Sequence, residues 1–244
     1  MAGRSFHFFC LVLLAFPFVL QKAGAEIPLP REKPDVRKSA QPAQAPTKQK
    51  KARATPSQAS RLKACPALID GRVSARYLPP VRTQSLCGDE APLEVSAVGG
   101  VALKPAAQLN CSMTGAVAEW VGALEGAARS LFKQDLKTVR TAASYSCRRR
   151  NNSKTGKFSE HATMNALDVS GFELADGTFV SVLEDWPEKA GSARAKTRFL
   201  KAAHAGACKR FTTVLGPDSD PHHENHFHVD LGCHGKKCTF RLCR

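Results

Sequence analysis

Eight cysteines between positions 65 and 243 constrain this chain more than any other feature. They are Cys65, Cys87, Cys111, Cys147, Cys208, Cys233, Cys238 and Cys243, and a ninth, Cys10, sits in an N-terminal stretch that reads as a secretory leader. There, Arg4 precedes an apolar run from Phe6 to Leu20, and Ala23-Gly24-Ala25 gives a small-residue cleavage pattern before Glu26. The run is shorter than the roughly 20 residues of a spanning helix, so residues 1–25 are expected to leave as a signal peptide rather than stay as an anchor. Export delivers the remaining cysteines to an oxidising compartment, periplasmic or secreted, where an even set closes into disulfides. A structural zinc site would instead use C-x₂-C pairs, and the chain has none. Sequence does not choose among the pairings, though Cys233, Cys238 and Cys243 read as staples for an irregular tail.

The net charge of +15 is unevenly placed. Between Glu26 and Lys63 there are ten Lys/Arg against three Asp/Glu, amid Pro, Ala and Gln with almost no large apolar residues. Such a segment cannot bury enough surface to offset its ordering entropy, so 26–63 is expected to be a disordered basic linker. It either meets anionic envelope polymers or lipid headgroups at a membrane surface, or serves as a solvated spacer. Nucleic acid is not an expected partner, because much of the charge lies in this linker and aromatic residues make up only 7% of the chain.

Residues 64–244 suffice for one domain with a proper core. Met113, Val117, Trp120, Val121, Leu124, Ala128 and Leu131 recur at three- and four-residue steps and predict a helix over about 112–133, with Trp120 in the core. A weaker helical pattern covers about 192–206. Strands are predicted over Ala142–Cys147, Ala166–Leu174, Thr178–Leu183, Phe211–Leu215 and His226–Leu231, with Asp176-Gly177 as a hairpin turn. Residues 65–110 resist assignment. Without regular βαβ alternation, the expected class is α+β, a mainly antiparallel sheet with flanking helices, stapled by disulfides.

Chemistry concentrates in two segments. Four of the eight histidines fall at His222, His223, His226 and His228, and upstream His161 and Asp168 stand seven apart. In the last predicted strand Phe227, Val229 and Leu231 share one face, and His226, His228 and Asp230 the other. An odd step of seven cannot keep His161 and Asp168 on one face of a straight strand, so a turn must intervene, with Asn165 a suitable turn residue. Two imidazoles and a carboxylate can hold Zn²⁺ with one position open for water.

The order H-x₆-D followed by a late H-x-H resembles the zinc peptidase superfamily of D-Ala-D-Ala carboxypeptidases, the murein endopeptidase and the Hedgehog signalling domain. The endopeptidase's H-x-x-H-x-H is matched by His223, His226 and His228. This resemblance implies His161, Asp168 and His228 as metal ligands, His226 as the acid/base imidazole and His223 as an auxiliary. It also implies a zinc-peptidase-like core and peptidoglycan as substrate. Two departures stand out. Met164 occupies the place of a Gly and is expected to alter the turn, and His226 occupies the place of a Glu.

Over a longer stretch the chain resembles the bacterial extensin-like C-terminal domain family. The matching segments include Ala64-Cys65-Pro66-Ala67-Leu68, Ser144-Tyr145-Ser146-Cys147-Arg148, Ser159-Glu160-His161-Ala162, Asn165-Ala166-Leu167-Asp168-Val169 and His226-Phe227-His228-Val229-Asp230.

Around this set, Arg148 is a candidate for gripping an oxyanion or substrate carboxylate, and equally a surface cation beside Arg149 and Arg150. Glu160 reads either as an outer acceptor orienting a ligand or as an exposed loop carboxylate. Two functions fit: a zinc-dependent hydrolase of an amide bond in peptidoglycan, or a non-catalytic, metal-containing envelope protein.

Overall fold

In a computed structural model of the chain, the described residues are 65–83, 86–187, 191 and 193–244. The expected signal peptide (1–25) and basic linker (26–63) lie outside them. The longest helix, α1 (Cys111–Phe132), forms where the apolar periodicity predicts it. Asn110 caps its start, the side-chain oxygen accepting from the Met113 N–H at 2.8 Å. Lys133 ends it in the left-handed conformation, φ 58°. Met113, Val117, Trp120, Val121, Leu124 and Ala128 form its buried stripe. Trp120 is fully buried and donates its indole N–H to Ala203 O at 2.9 Å, joining α1 to a second long helix, Ala193–Cys208. A one-turn helix, Val182–Asp185, precedes that one, so the three are α1, α2 and α3 in chain order.

The helices accompany one nine-stranded sheet. Its strands are β1 (Val73–Tyr77), β2 (Leu93–Val98), β3 (Val101–Leu109), β4 (Leu136–Ala143), β5 (Ala166–Leu174), β6 (Phe179–Ser181), β7 (Thr213–Leu215), β8 (Phe227–Asp230) and β9 (Leu242–Cys243). They run in the order β1-β2-β3-β4-β5-β8-β7-β9, with β6 added beside β5. Only β3 with β4 and β7 with β9 pair in parallel, so the sheet is mainly antiparallel and the class is α+β, as expected. β5 is the hub. Its first half pairs with β8 and its second half with β6, while β4 runs along the other edge.

Several boundaries differ from the sequence reading. The strand expected at Ala142–Cys147 ends at Ala143 and begins earlier, at Leu136. Beyond Ala143 the backbone bonds elsewhere: the Ser146 N–H donates to His161 O at 3.2 Å, and the Ser144 carbonyl faces the His161 ring. The strand expected over Thr178–Leu183 stops at Ser181, whose hydroxyl accepts from the Glu184 N–H at 3.2 Å and starts α2. Gly177 has the positive φ, 86°, that the Asp176-Gly177 turn requires. The unassigned region 65–110 supplies β1, β2 and β3, whose short apolar stretches are broken by bulges between Ser74 and Ala75 and between Val95 and Ala97.

All eight cysteines are paired: Cys65–Cys111, Cys87–Cys147, Cys208–Cys243 and Cys233–Cys238. Cys233 and Cys238 do staple the tail locally, whereas Cys243 ties it back to the end of α3. Four disulfides fit an oxidising compartment. No helix among the described residues is long and apolar enough to cross a membrane.

Candidate metal centre

A single turn of 3₁₀ helix, Glu160–Thr163, bridges the odd step between His161 and Asp168. Ser159 starts this turn, its hydroxyl accepting from the His161 N–H at 3.3 Å. Met164 ends it in the left-handed conformation, φ 56°, with its N–H donating to His161 O at 3.2 Å. The chain then enters β5, with Asp168 as its third residue. The turn expected here is present: the Asn165 N–H donates to Glu160 O at 3.0 Å, and the residue in the left-handed conformation is Met164. It takes a conformation that Gly adopts freely, at a cost of about 1 kcal/mol, and is wholly buried.

The Asn165 side chain also locks the turn from the side. Its amide donates to Glu160 Oε2 at 2.8 Å and accepts from the Asn110 amide at 3.1 Å, so the turn is tied to the cap of α1.

β8 brings the third group. In the β5–β8 ladder Asp168 pairs directly with His228, which places the two side chains as cross-strand neighbours. His228 Nδ1 lies 2.8 Å from Asp168 Oδ1. His161 Nε2 is 3.2 Å from that same oxygen and 3.2 Å from His228 Nδ1. One donor atom from each of the three residues falls within 4.8 Å of the others.

The outer ring nitrogens decide what the inner ones offer. His161 Nδ1 lies against the Ser144 carbonyl, an acceptor only, so Nδ1 carries the hydrogen and Nε2 presents a lone pair. His228 Nε2 is 2.9 Å from Asp230 Oδ2, which assigns a hydrogen to Nε2 and leaves Nδ1 as the nitrogen that an ion would take in place of a proton. Asp230 is itself held by the Gly232 N–H at 2.8 Å. Carbonyl and carboxylate acceptors behind two imidazoles are the supports that metal-binding histidines use. Without an ion, burial opposes ionisation of Asp168, but the His161 and His228 rings against it outweigh that cost and hold the carboxyl far below its usual range. Two nitrogens and an anionic oxygen make a donor set suited to zinc.

A second grouping, His204 with Cys208 and Cys243, lacks thiolates to offer, because the two sulfurs form a disulfide.

The other predicted residues surround the three. His226 Nε2 lies 3.7 Å from Asp168 Oδ1, while its Nδ1 meets Asn225 Oδ1 at 2.7 Å. Burial pushes the His226 pKa down despite the opposing pull of the Asp168 charge, which keeps the ring neutral near pH 7. His223 stands one step back, its Nδ1 2.8 Å from Asp220 Oδ1 and its ring 5.3 Å from that of His226. Arg148 lines the same cleft of about 580 Å³ as His161, Asp168 and His228. Glu160 serves the turn, not a ligand ring: it meets Asn165 and lies 3.6 Å from an Arg150 nitrogen.

Sequence reasoning gave no role to Asp230 or Ser144. The alternation His226-x-His228-x-Asp230 was the signal for the first. Ser144 acts through its carbonyl, which every residue has, so no side-chain pattern could have revealed it.

A family profile described as Extensin-like protein C-terminus matches residues 63–244. Comparison with curated proteins and with solved structures gave no match. A match across the whole disulfide-bonded domain, including both segments of the candidate centre, means that the chain belongs to the extensin-like C-terminus family.

Proposed function

We propose that this domain is an exported, zinc-dependent hydrolase, periplasmic or secreted, acting on an amide bond in peptidoglycan peptides or crosslinks. The observation that carries the reading is the convergence of His161 Nε2, Asp168 Oδ1 and His228 Nδ1 with both imidazoles backed by fixed acceptors. Those three groups would hold the ion. Bound zinc supplies Lewis acidity, polarising an amide carbonyl and acidifying water.

The chain's own residues supply the rest. His226, neutral and beside Asp168, takes up a proton as water attacks and returns it to the departing amine. His223 steadies His226 through ring contact and is in turn oriented by Asp220. Arg148 offers a guanidinium to an oxyanion or substrate carboxylate along the cleft wall. The resemblance to zinc peptidases of cell-wall peptides supports the choice of substrate.

The test is incubation of zinc-loaded protein with purified peptidoglycan, followed by product analysis. New amine and carboxyl termini, lost in His226→Ala while zinc stays bound, support hydrolysis. Intact polymer across several crosslink types would overturn it and leave the second reading, a metal-containing envelope protein without catalysis.

A further inference from the structure

The segment Arg148-Arg149-Arg150-Asn151-Asn152-Ser153-Lys154-Thr155-Gly156-Lys157 carries five cations and no carboxylate. It is folded back on itself. Arg149 and Phe158 form an antiparallel bridge, and the Arg150 N–H donates to Lys157 O at 3.1 Å. The Arg149 guanidinium lies 4.7 Å over the Phe158 ring and donates to Gly156 O. Asn151, Asn152 and Gly156 turn the chain with φ of 53°, 54° and 95°. The charges therefore sit on a shaped arm.

Arg149 is committed to holding that arm together. Arg150, Lys154 and Lys157 are exposed. The base of the arm belongs to the metal cleft, whose lining includes Arg148, Arg150, Asn151 and Asn152 together with His161 and His228. Like charges this close repel one another, and Glu160 beside Arg150 offsets one of them. An anionic partner would offset the others.

We propose that the hairpin 148–158 is an anchoring arm that grips carboxylates of the peptide-bearing glycan and presents an adjoining segment to the cleft. This deepens the peptidoglycan reading above and rests on it. Arg150, at the cleft, suits a forked grip on a carboxylate, and the two lysines act as point charges further out. Chain length between successive carboxylates on a polymer then lets the tip and the cleft be occupied together.

The experiment measures binding without cleavage. The full chain, stripped of metal by a chelator, is co-sedimented with purified peptidoglycan at about 0.1 M salt, where exposed charges still act over roughly 10 Å. The arm variant is Arg150→Gln/Lys154→Gln/Lys157→Gln. Its control, Lys48→Gln/Lys50→Gln/Lys51→Gln, removes the same charge from the linker. The arm variant should bind about tenfold more weakly, the control much less so, and amidating the polymer's carboxylates should abolish binding. Circular dichroism checks the fold. If the triple variant is misfolded, Lys154→Gln/Lys157→Gln at the exposed tip repeats the test with a smaller loss expected.

Wild-type affinity in the arm variants, a loss equal to the control's, or undiminished binding to amidated polymer would each overturn the proposal. So would arm-dependent binding to phosphatidylglycerol vesicles that exceeds binding to the polymer, which would assign the arm to lipid headgroups. Binding is read apart from product formation, so a failure here is distinguishable from a failure of the hydrolase reading.

Discussion

His228 Nε2 lies 2.9 Å from Asp230 Oδ2, the carboxylate two residues further along the same strand. The period of β8 puts both side chains on one face, and the ladder puts Asp168 opposite His228 on β5. One short strand thus provides a candidate ligand and its orienting group. Asp230→Asn should weaken zinc binding by about 10–100-fold with little change in fold, because the ring loses its charged acceptor. Competition with a chromophoric chelator measures this, and an unchanged affinity would remove Asp230 from the centre.

Metal binding should also depend steeply on pH. Burial lowers the His228 pKa, but the hydrogen bonds to Asp168 and Asp230 outweigh it and lift the value from 6.5 to about 9 in the metal-free chain. His228 therefore carries a proton at pH 7 that an ion must displace. Apparent affinity should rise about tenfold per pH unit between pH 7 and the His228 pKa of about 9, then level off. The raised pKa has the opposite effect on the metal-free fold. Its stabilising contribution is full below pH 6.5 and disappears as pH climbs through about 9. Titrations in buffers of different ionisation enthalpy would count the released proton.

How far the sequence revealed the centre depends on which force places each residue. The boundaries of α1 and β5 follow from side-chain periodicity and capping, which are local, so they were legible to within a residue or two. The His226/His228/Asp230 face was legible for the same reason. The Ser144 carbonyl behind His161 is a long-range backbone contact, and it cut short the strand expected to reach Cys147. β1, β2 and β3 went unread because bulges interrupt their alternation and the pairing partners lie on neighbouring strands. Disulfide formation was legible from the cysteine number and the leader-like N-terminal pattern, but pairing is a property of the folded chain.

The Cys87–Cys147 bridge should support the centre as well as the fold. It joins the segment that carries Ser144, Ser146 and Arg148 to the loop whose Gly88 N–H donates to Ala162 O at 2.7 Å. Cys87→Ala/Cys147→Ala opens a closure of 60 residues, a loss of about 4 kcal/mol by chain entropy. Zinc affinity should fall too, since the His161 ring would lose part of what holds its outer acceptor in place. Opening Cys233–Cys238, with a separation of 5, should cost less stability and leave zinc affinity unchanged. Urea unfolding and chelator competition on the two variants separate these effects.

Met164 offers a test of the turn that sets His161 against Asp168. Its side chain is fully buried, so truncation loses packing, and its φ of 56° strains Met and Ala but not Gly. Met164→Ala removes the packing and keeps the strain, and should destabilise the fold by about 2–5 kcal/mol. Met164→Gly removes both. It should be the more stable of the two by about 1 kcal/mol, which reverses the usual preference for Ala over Gly in regular structure. Equal stabilities in urea unfolding, or a more stable Ala variant, would mean that the turn is not held left-handed in solution. The 3₁₀ turn would then no longer account for how an odd step of seven brings His161 to Asp168.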